Sequence, residues 1–305
     1  MNGDGLKDII SGSYVGAPPR DENGKRKVYK DAEGNTQSEI FVFYQRADGT
    51  FGPRQRLTFC HLHSTADPVD WDGDGDYDLV VSGHRKHGII LMKNNGSRTE
   101  PKFNETMPLI PELDEKALRN LSITSAEAVD WDGDDLLDIV AGSNWGQIFW
   151  FRNIGSADEA AFNAEPQYLV GGDIAGGDID AKRKFLDSNP WGARVVLCVV
   201  DWDGDGILDV LMGDNHYQDV TKERLSAEDL VAFEAAMATI KEYSKRTQAL
   251  YPKDKTYKEL SKEEIAAIRA ESNKIRQEYS EEFATISKLR VVERHGYIWL
   301  FRGVK

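Results

Sequence analysis

The chain has 305 residues, of which 40% are apolar and 10% aromatic, so it is large and apolar enough to form a packed core. It carries 52 Asp and Glu residues against 38 Lys and Arg, a formal net charge of −14, which argues against a nucleic-acid partner. No segment approaches the ~20 consecutive apolar residues of a membrane-spanning helix. Cys60 and Cys198 are too few for a disulfide framework, and the apolar run around Cys198 predicts a buried free thiol.

An acidic loop of nine residues recurs along the chain. Its clearest copy, residues 70–78, has Asp at positions 1, 3, 5, 7 and 9 and Gly at position 6. Alternate positions of a tight loop can point inward, and calcium prefers six to eight oxygen ligands. An EF-hand loop would carry Glu at position 12 and open a helix, whereas this loop carries Val81 there and enters a β-branched, strand-like segment. The pattern predicts a calcium site between two strands.

Two further complete copies occupy residues 130–138 and 201–209, and the chain opens inside a fourth copy. A single copy could be a simple acidic turn, but four copies in one register, each entering a strand that ends near glycine, favour a calcium-binding repeat. Position 7 can contribute its main-chain carbonyl. The predicted ligands are Asp70, Asp72, Asp74, Asp76, Asp78, Asp130, Asp132, Asp134, Leu136, Asp138, Asp201, Asp203, Asp205, Ile207, Asp209, Asn2, Asp4, Leu6 and Asp8.

The order of predicted elements divides the chain into three parts. Residues 1–225 alternate acidic loops with short strands, and the apolar run 195–200 predicts a strand buried on both faces. Residues 226–290 predict an antiparallel helical hairpin, with Ser226 capping the first helix and a capping box at Ser261 opening the second. Residues 291–305 return to a strand pattern and supply the remaining strand of the last blade.

With these loops, the glycine-ended strands and the phrase Phe151-Arg152-Asn153-Ile154-Gly155, the chain resembles the FG-GAP and VCBS repeats of integrin-type β-propellers. The resemblance covers residues 1–224 and 291–305. It implies an all-β propeller, calcium as cofactor at three complete loops and one truncated loop, and an extracellular or periplasmic location. Four blades are present in whole or part. The first lacks an innermost strand and the last an outermost strand, so we expect a full ring of five to seven blades and a missing upstream piece carrying the signal peptide.

A second group of residues is predicted on the face opposite the calcium loops, where the loops from strand two to strand three and from blade to blade must lie. Aromatic rings there could stack on sugars, and histidines could donate, accept or bind a metal. Chance clustering of polar loop residues is the alternative. The candidate ligand-binding residues are His61, His63, His84, Arg85, His87, Trp145, Trp191, His216 and Tyr217.

Three functions are compatible with these features, because this fold does not determine function. The first is a secreted calcium-binding module that binds a glycan or an extracellular protein. The second is a carbohydrate-active enzyme, a polysaccharide lyase or hydrolase that takes its base and its cation from the second face. The third is a structural repeat whose helical hairpin contacts a neighbour. A nucleophile elbow, a dinucleotide-binding glycine pattern and a phosphate loop are all absent from the sequence. The binding module is the first interpretation, and the lyase is the alternative if the chain is an enzyme.

Overall fold

The computed structural model describes residues 1–12, 22–24, 28–30, 32, 34, 36–60, 64–83, 88–157, 159–172, 190–252 and 259–303. Contacts divide the chain into two units. The sheet unit contains Met1–His216 and Gly296–Lys305, and the helical unit contains Tyr217–His295.

The strands form four antiparallel sheets. Sheet one contains β1 (Ile9–Gly12), β2 (Tyr29–Lys30), β3 (Thr36–Phe43) and β4 (Gln55–Cys60). Sheet two contains β5 (Ser64–Val69), β6 (Asp78–Gly83), β7 (Ile89–Asn94) and β8 (Phe103–Pro108). Sheet three contains β9 (Ile123–Val129), β10 (Asp138–Ser143), β11 (Ile148–Phe151) and β12 (Gln167–Val170). Sheet four contains β13 (Ala193–Val200), β14 (Asp209–Asp219), β15 (Val292–His295) and β16 (Ile298–Phe301).

Sheets two and three are simple meanders in which each strand pairs with the next along the chain. The loops 70–78, 130–138 and 201–209 join the first two strands of sheets two, three and four. The prediction of an all-β fold built from propeller-type antiparallel blades is therefore confirmed. A closed ring of five to seven blades stays a prediction, since the four sheets do not close on themselves within the described residues.

Sheets one, two and three are packed face to face in chain order, through alternate residues of their strands. Leu79, which follows the ninth loop position, lies in the core that sheet two shares with Ile40 of sheet one. Val80, the next residue, lies in the core shared with Ile139 of sheet three. Successive side chains of a strand point to opposite faces, so one residue contacts the preceding sheet and its neighbour the following sheet.

The same alternation recurs between sheets three and four. Ile139 faces sheet two, while Val140 lies in the core that sheet three shares with Val210 of sheet four. We call the side of a sheet that packs on the preceding sheet its predecessor face, and the side that packs on the following sheet its successor face. Each of the three cores joins a successor face to the predecessor face of the next sheet.

Strand β13 differs from its prediction of burial on both faces. Val195 and Leu197 are buried against sheet three, but Val196 is 51% exposed and Cys198 is exposed as well. The prediction of a buried Cys198 thiol is thus wrong. The apolar sequence of β13 predicts that both of its sides are covered. Within the described residues, however, no sheet covers the successor face of sheet four.

The helical unit contains α2 (Thr221–Arg224), α3 (Ala227–Gln248), α4 (Lys262–Glu278) and α5 (Ser280–Leu289). The predicted caps are present, since Ser226 accepts from the N–H of Asp229 and Ser261 forms a capping box with Glu264. The sequence predicts one continuous second helix, and this prediction is wrong. Its backbone breaks at Tyr279, whose φ of −107° and ψ of 22° end α4 and begin α5.

The sheet unit also contains a short helix that the sequence reading did not predict. Helix α1 (Glu115–Leu121) begins after Asp114, whose carboxylate accepts from the N–H groups of Lys116 and Ala117. It ends at Ser122, which adopts the left-handed conformation with φ of 52°. An Asp followed by good helix formers is a recognisable start signal.

Candidate metal centres

Each complete acidic loop brings three carboxylates together. In every loop, one oxygen from each of the three residues lies within 4.8 Å of the others. Loop 70–78 gathers positions 1, 3 and 5, whereas the other two loops gather positions 1, 3 and 9. The three groups are Asp70, Asp72 and Asp74; Asp130, Asp132 and Asp138; and Asp201, Asp203 and Asp209.

The first residue of each loop also organises the loop backbone. Asp130 accepts hydrogen bonds from the N–H groups of Gly133, Asp134 and Asp135 at 2.8–3.0 Å. Asp201 makes the equivalent three bonds in its own loop. These bonds curl the chain around the position-1 carboxylate and so fix the small radius of the loop.

Loop 70–78 leaves two carboxylate oxygens buried without a partner. Asp70 accepts through Oδ2 from the Gly75 N–H at 3.2 Å, while its Oδ1 has no hydrogen-bond partner, and neither has Oδ1 of Asp76. Burial raises the pKa of Asp76, and the neighbouring charge of Asp74 adds to the rise. A buried carboxylate oxygen without a donor is costly, and a bound cation would remove that cost. These residues therefore fit a hard divalent cation.

The ninth loop position ties each loop to a distant strand end. Asp138 is fully buried, and its Oδ1 accepts from the Asn153 N–H at 2.7 Å while its Oδ2 accepts from the Trp131 N–H at 3.3 Å. Asp78 and Asp209 make the same pair of bonds in their loops. The position that the sequence predicts as a ligand is thus also a structural link between the loop and the end of β7, β11 or β16.

Position 6 of the complete loops has a left-handed backbone conformation, which the glycine present there in two of them predicts. Gly75 and Gly206 have φ values of 91° and 84°, and Asp135 holds the same left-handed position with φ of 64°. A non-glycine residue there is strained, although Asp tolerates the left-handed region better than most residues. The loop 130–138 therefore keeps the turn geometry of the other two at some cost in strain.

A basic residue contacts each of the three complete loops, and none of these contacts was predicted from the sequence. Lys93 lies 2.7 Å from Asp72, and this contact lowers the pKa of that carboxyl. Arg152 lies 2.7 Å from Asp132 and 3.1 Å from Asp134, and Arg302 lies 2.9 Å from Asp203. A signal was available, because each base follows directly on the last apolar residue of the strand that pairs with the strand after the loop, namely β7, β11 and β16.

The opening loop differs from the three complete loops. The Met1 amino group lies 2.9 Å from Asp8, where the complete loops have the N–H of the position-2 Trp. Asp4 accepts from the Leu6 N–H at 2.9 Å, and Asn2 donates to Asp4. In the described residues this loop contains no group of three clustered carboxylates.

The comparison with protein families agrees with this geometry. Residues 70–141 match the family model of the FG-GAP-like repeat. The chain carries an FG-GAP-like repeat. The matched segment runs from the first residue of loop 70–78 to strand β10, and it includes two complete acidic loops. No curated protein matches the chain, and no solved structure does.

Outside the acidic loops, two carboxylates connect the first strands of neighbouring sheets. Asp67 accepts from the Ala128 N–H at 2.9 Å, and Glu127 accepts from the Val199 N–H at 2.7 Å. Burial raises the pKa of Asp67 to about 6 and that of Glu127 to about 7. These groups were also missed, because only the neighbouring strand makes them buried.

Four of the predicted ligand-binding residues lie in the described part of the chain, three of them in the sheet unit. Trp145 lies in the turn between β10 and β11, and His216 lies in β14. Trp191 packs at right angles to Trp299 and Phe301 and so contributes to the core between sheets three and four. Its indole N–H is buried without a partner.

Tyr217 belongs to the helical unit, where the guanidinium of Arg294 lies 5.2 Å from its ring centroid. His61, His63, His84, Arg85 and His87 lie outside the described residues. The grouping of all nine residues around one ligand therefore stays a prediction. No helix in the described part of the chain is long and apolar enough to cross a membrane.

Proposed function

We propose that the chain is a secreted, calcium-binding FG-GAP-type module that binds an extracellular glycan or protein. The observation that carries the calcium assignment is the convergence of three carboxylates in each complete loop, together with the unpartnered buried oxygens of Asp70 and Asp76. The FG-GAP-like match supports an adhesion or binding module.

The donor set selects calcium among the common metals. The loops present carboxylate and carbonyl oxygens, with no His or Cys inside them, which disfavours zinc and copper. Calcium accepts an irregular set of six to eight oxygens at about 2.3–2.6 Å, whereas magnesium demands a near-ideal octahedron. A nine-residue loop with oxygens at five alternate positions suits the larger, more adaptable ion.

Calcium would relieve the repulsion between the clustered carboxylates and so stabilise the sheets that the loops connect. Extracellular calcium modules bind with dissociation constants of about 10⁻⁴–10⁻³ M, and we expect an affinity in this range for the three loops. A site held at 100 times its Kd adds about 2.7 kcal/mol to folding stability, and lower saturation adds less.

The calcium proposal is tested by titration calorimetry and thermal unfolding with and without chelator. We expect calcium to raise the melting temperature by several degrees, and Asp72→Asn, Asp132→Asn and Asp203→Asn each to reduce the response. Asp48→Asn is the matched control, because Asp48 is an exposed turn residue outside the loops. A melting temperature that calcium does not change would refute the proposal.

The glycan or protein ligand is assigned to the face opposite the calcium loops. Trp145 is partly exposed there and offers an aromatic surface of the kind that stacks on sugar rings. We expect retention on a glycan array or on matrix proteins, and loss of retention on Trp145→Ala. Trp202→Ala is the control, since Trp202 is an exposed Trp on a calcium loop. A rise in unsaturated-uronate absorbance with acidic polysaccharides would instead identify a lyase.

A further inference from the structure

The first strands of sheets three and four each have one edge that no strand covers. Strand β9 pairs with β10 and strand β13 pairs with β14, and as far as the structure describes the chain neither has a second partner. An edge strand carries N–H groups that point away from its own sheet and need another acceptor. At one position of each edge, a carboxylate of the preceding sheet is that acceptor. The Ala128 N–H donates to Asp67 at 2.9 Å, and the Val199 N–H donates to Glu127 at 2.7 Å.

These two bonds are one structural unit that is repeated a sheet later. Each accepting carboxylate lies opposite the second residue after the acidic loop of its sheet, and each donating N–H lies opposite the first. Both bonds join sheets that are packed on each other within this chain. We call the pairs Asp67–Ala128 and Glu127–Val199 the strand ties. Their equivalent positions make a carboxylate part of the way in which consecutive sheets are joined.

The carboxyl groups of the strand ties are partly buried and interact with each other. Burial raises the pKa of both above the ordinary range, and the charge of Asp67 adds to the rise at Glu127. The other titratable or charged groups on the strands packed against β5 and β9 are Glu39, Asp78, Asp138, Arg194 and Cys198. Of these, the Cys198 thiol is coupled to the ties, because its pKa is raised by burial and then by the charges of Glu127 and Asp67. Among the described residues, no basic side chain forms an ion pair with either carboxylate.

We propose that the two strand ties are a pH-sensitive device, which holds the first strands of sheets two, three and four together more firmly in mildly acidic medium than at neutral or alkaline pH. A protonated carboxyl keeps an oxygen that accepts from the strand N–H, so the hydrogen bond survives protonation. Protonation removes the cost of a poorly solvated charge and the repulsion between the two carboxylates.

The direction of the response follows from proton binding. When the strands separate, water solvates both carboxylates and their pKa values return to the ordinary range. The closed contact therefore binds more protons than the open one. Opening becomes easier as the pH rises from about 4 to about 7, and it changes little at higher pH, where both states have lost the protons.

The test is amide hydrogen exchange of the full chain, measured by NMR at Ala128 and Val199 between about pH 5 and about pH 8. Each rate is divided by the intrinsic rate of an unfolded chain at the same pH, with saturating calcium and again in calcium-free buffer. We expect the protection of both amides to fall by roughly tenfold or more over this range, since one unit of pKa shift is a tenfold change in an equilibrium constant. Amides in the pairing of β10 with β11 report any change in global stability. Protection that stays constant at both tie amides would overturn the proposal.

The variants Asp67→Asn and Glu127→Gln keep an acceptor oxygen and remove the titration. We expect Asp67→Asn to abolish the pH response at Ala128 and Glu127→Gln to abolish it at Val199. Glu105→Gln is the matched control, because Glu105 is an exposed carboxylate on β8, and it should leave both responses unchanged. A response that persists in the double variant would overturn the assignment to these carboxylates. A double variant that is less stable than the parent chain at about pH 8 would also overturn it, because the charged form would then be the favourable one.

Discussion

Replacing Arg152 by Gln is expected to tighten calcium binding at the loop 130–138. The guanidinium contacts Asp132 at 2.7 Å and Asp134 at 3.1 Å, so it already neutralises two of the carboxylates that the ion needs. Calcium binding must weaken both ion pairs. Exposed ion pairs contribute about 0.2–1 kcal/mol each, and the Arg152 side chain is half-exposed, so the competition amounts to about 1 kcal/mol. That energy corresponds to roughly a fivefold change in Kd.

The assay is calorimetric titration of calcium in a chain whose other two loops are weakened by Asp72→Asn and Asp203→Asn. The Kd should fall roughly fivefold in Arg152→Gln at low ionic strength, and less at high ionic strength, because salt screens exposed charges. Arg152→Lys keeps the positive charge and should retain part of the competition. An unchanged or higher Kd in Arg152→Gln would refute the reasoning, since Arg152 would then support the loaded loop.

Three further predictions concern stability. Asp138→Ala should lower the free energy of unfolding by about 2–4 kcal/mol even in chelator, because one buried and one partly buried N–H group lose their acceptor. Asp132→Ala should reduce mainly the calcium-dependent part of the stability. Burial holds the pKa of Glu127 at about 7, above its ordinary value of 4.5, so the folded state binds more protons and its stability falls as pH rises through 7. Denaturant unfolding in chelator at several pH values should show a smaller decline for Glu127→Gln, and an identical decline would contradict the assignment. Asp135→Gly should stabilise the chain by about 1 kcal/mol by relieving its φ of 64°, and a loss of stability in a melting experiment would show that the Asp side chain matters more than the strain.

The local features of the fold could be predicted from the sequence because short stretches determine them. The acidic loops, the position-6 conformation and the caps at Ser226 and Ser261 each depend on residues within one turn. The exposure of Cys198 could not be predicted, because it depends on whether another sheet covers β13. Hydrophobicity reports that a face can be buried and does not report what buries it.

The missed parts of the site depend on residues far apart in the chain. Arg302 reaches Asp203 across 99 positions, and Glu127 reaches the Val199 N–H across 72. The raised pKa of Glu127 and the ion pair of Arg302 follow from packing that only the folded chain provides. The three basic residues could nevertheless have been predicted, because each one occupies the same position in the sequence relative to its acidic loop.

The alternation of predecessor and successor residues has an evolutionary consequence. Inserting one residue between Asp78 and Leu79 would exchange the two faces of β6, so that the side chains selected for one neighbour would meet the other. Duplication of a whole loop-and-sheet segment would carry both faces along in register. Such a chain can therefore change its length readily in loops and in complete repeats, while its strands resist single-residue insertions and deletions.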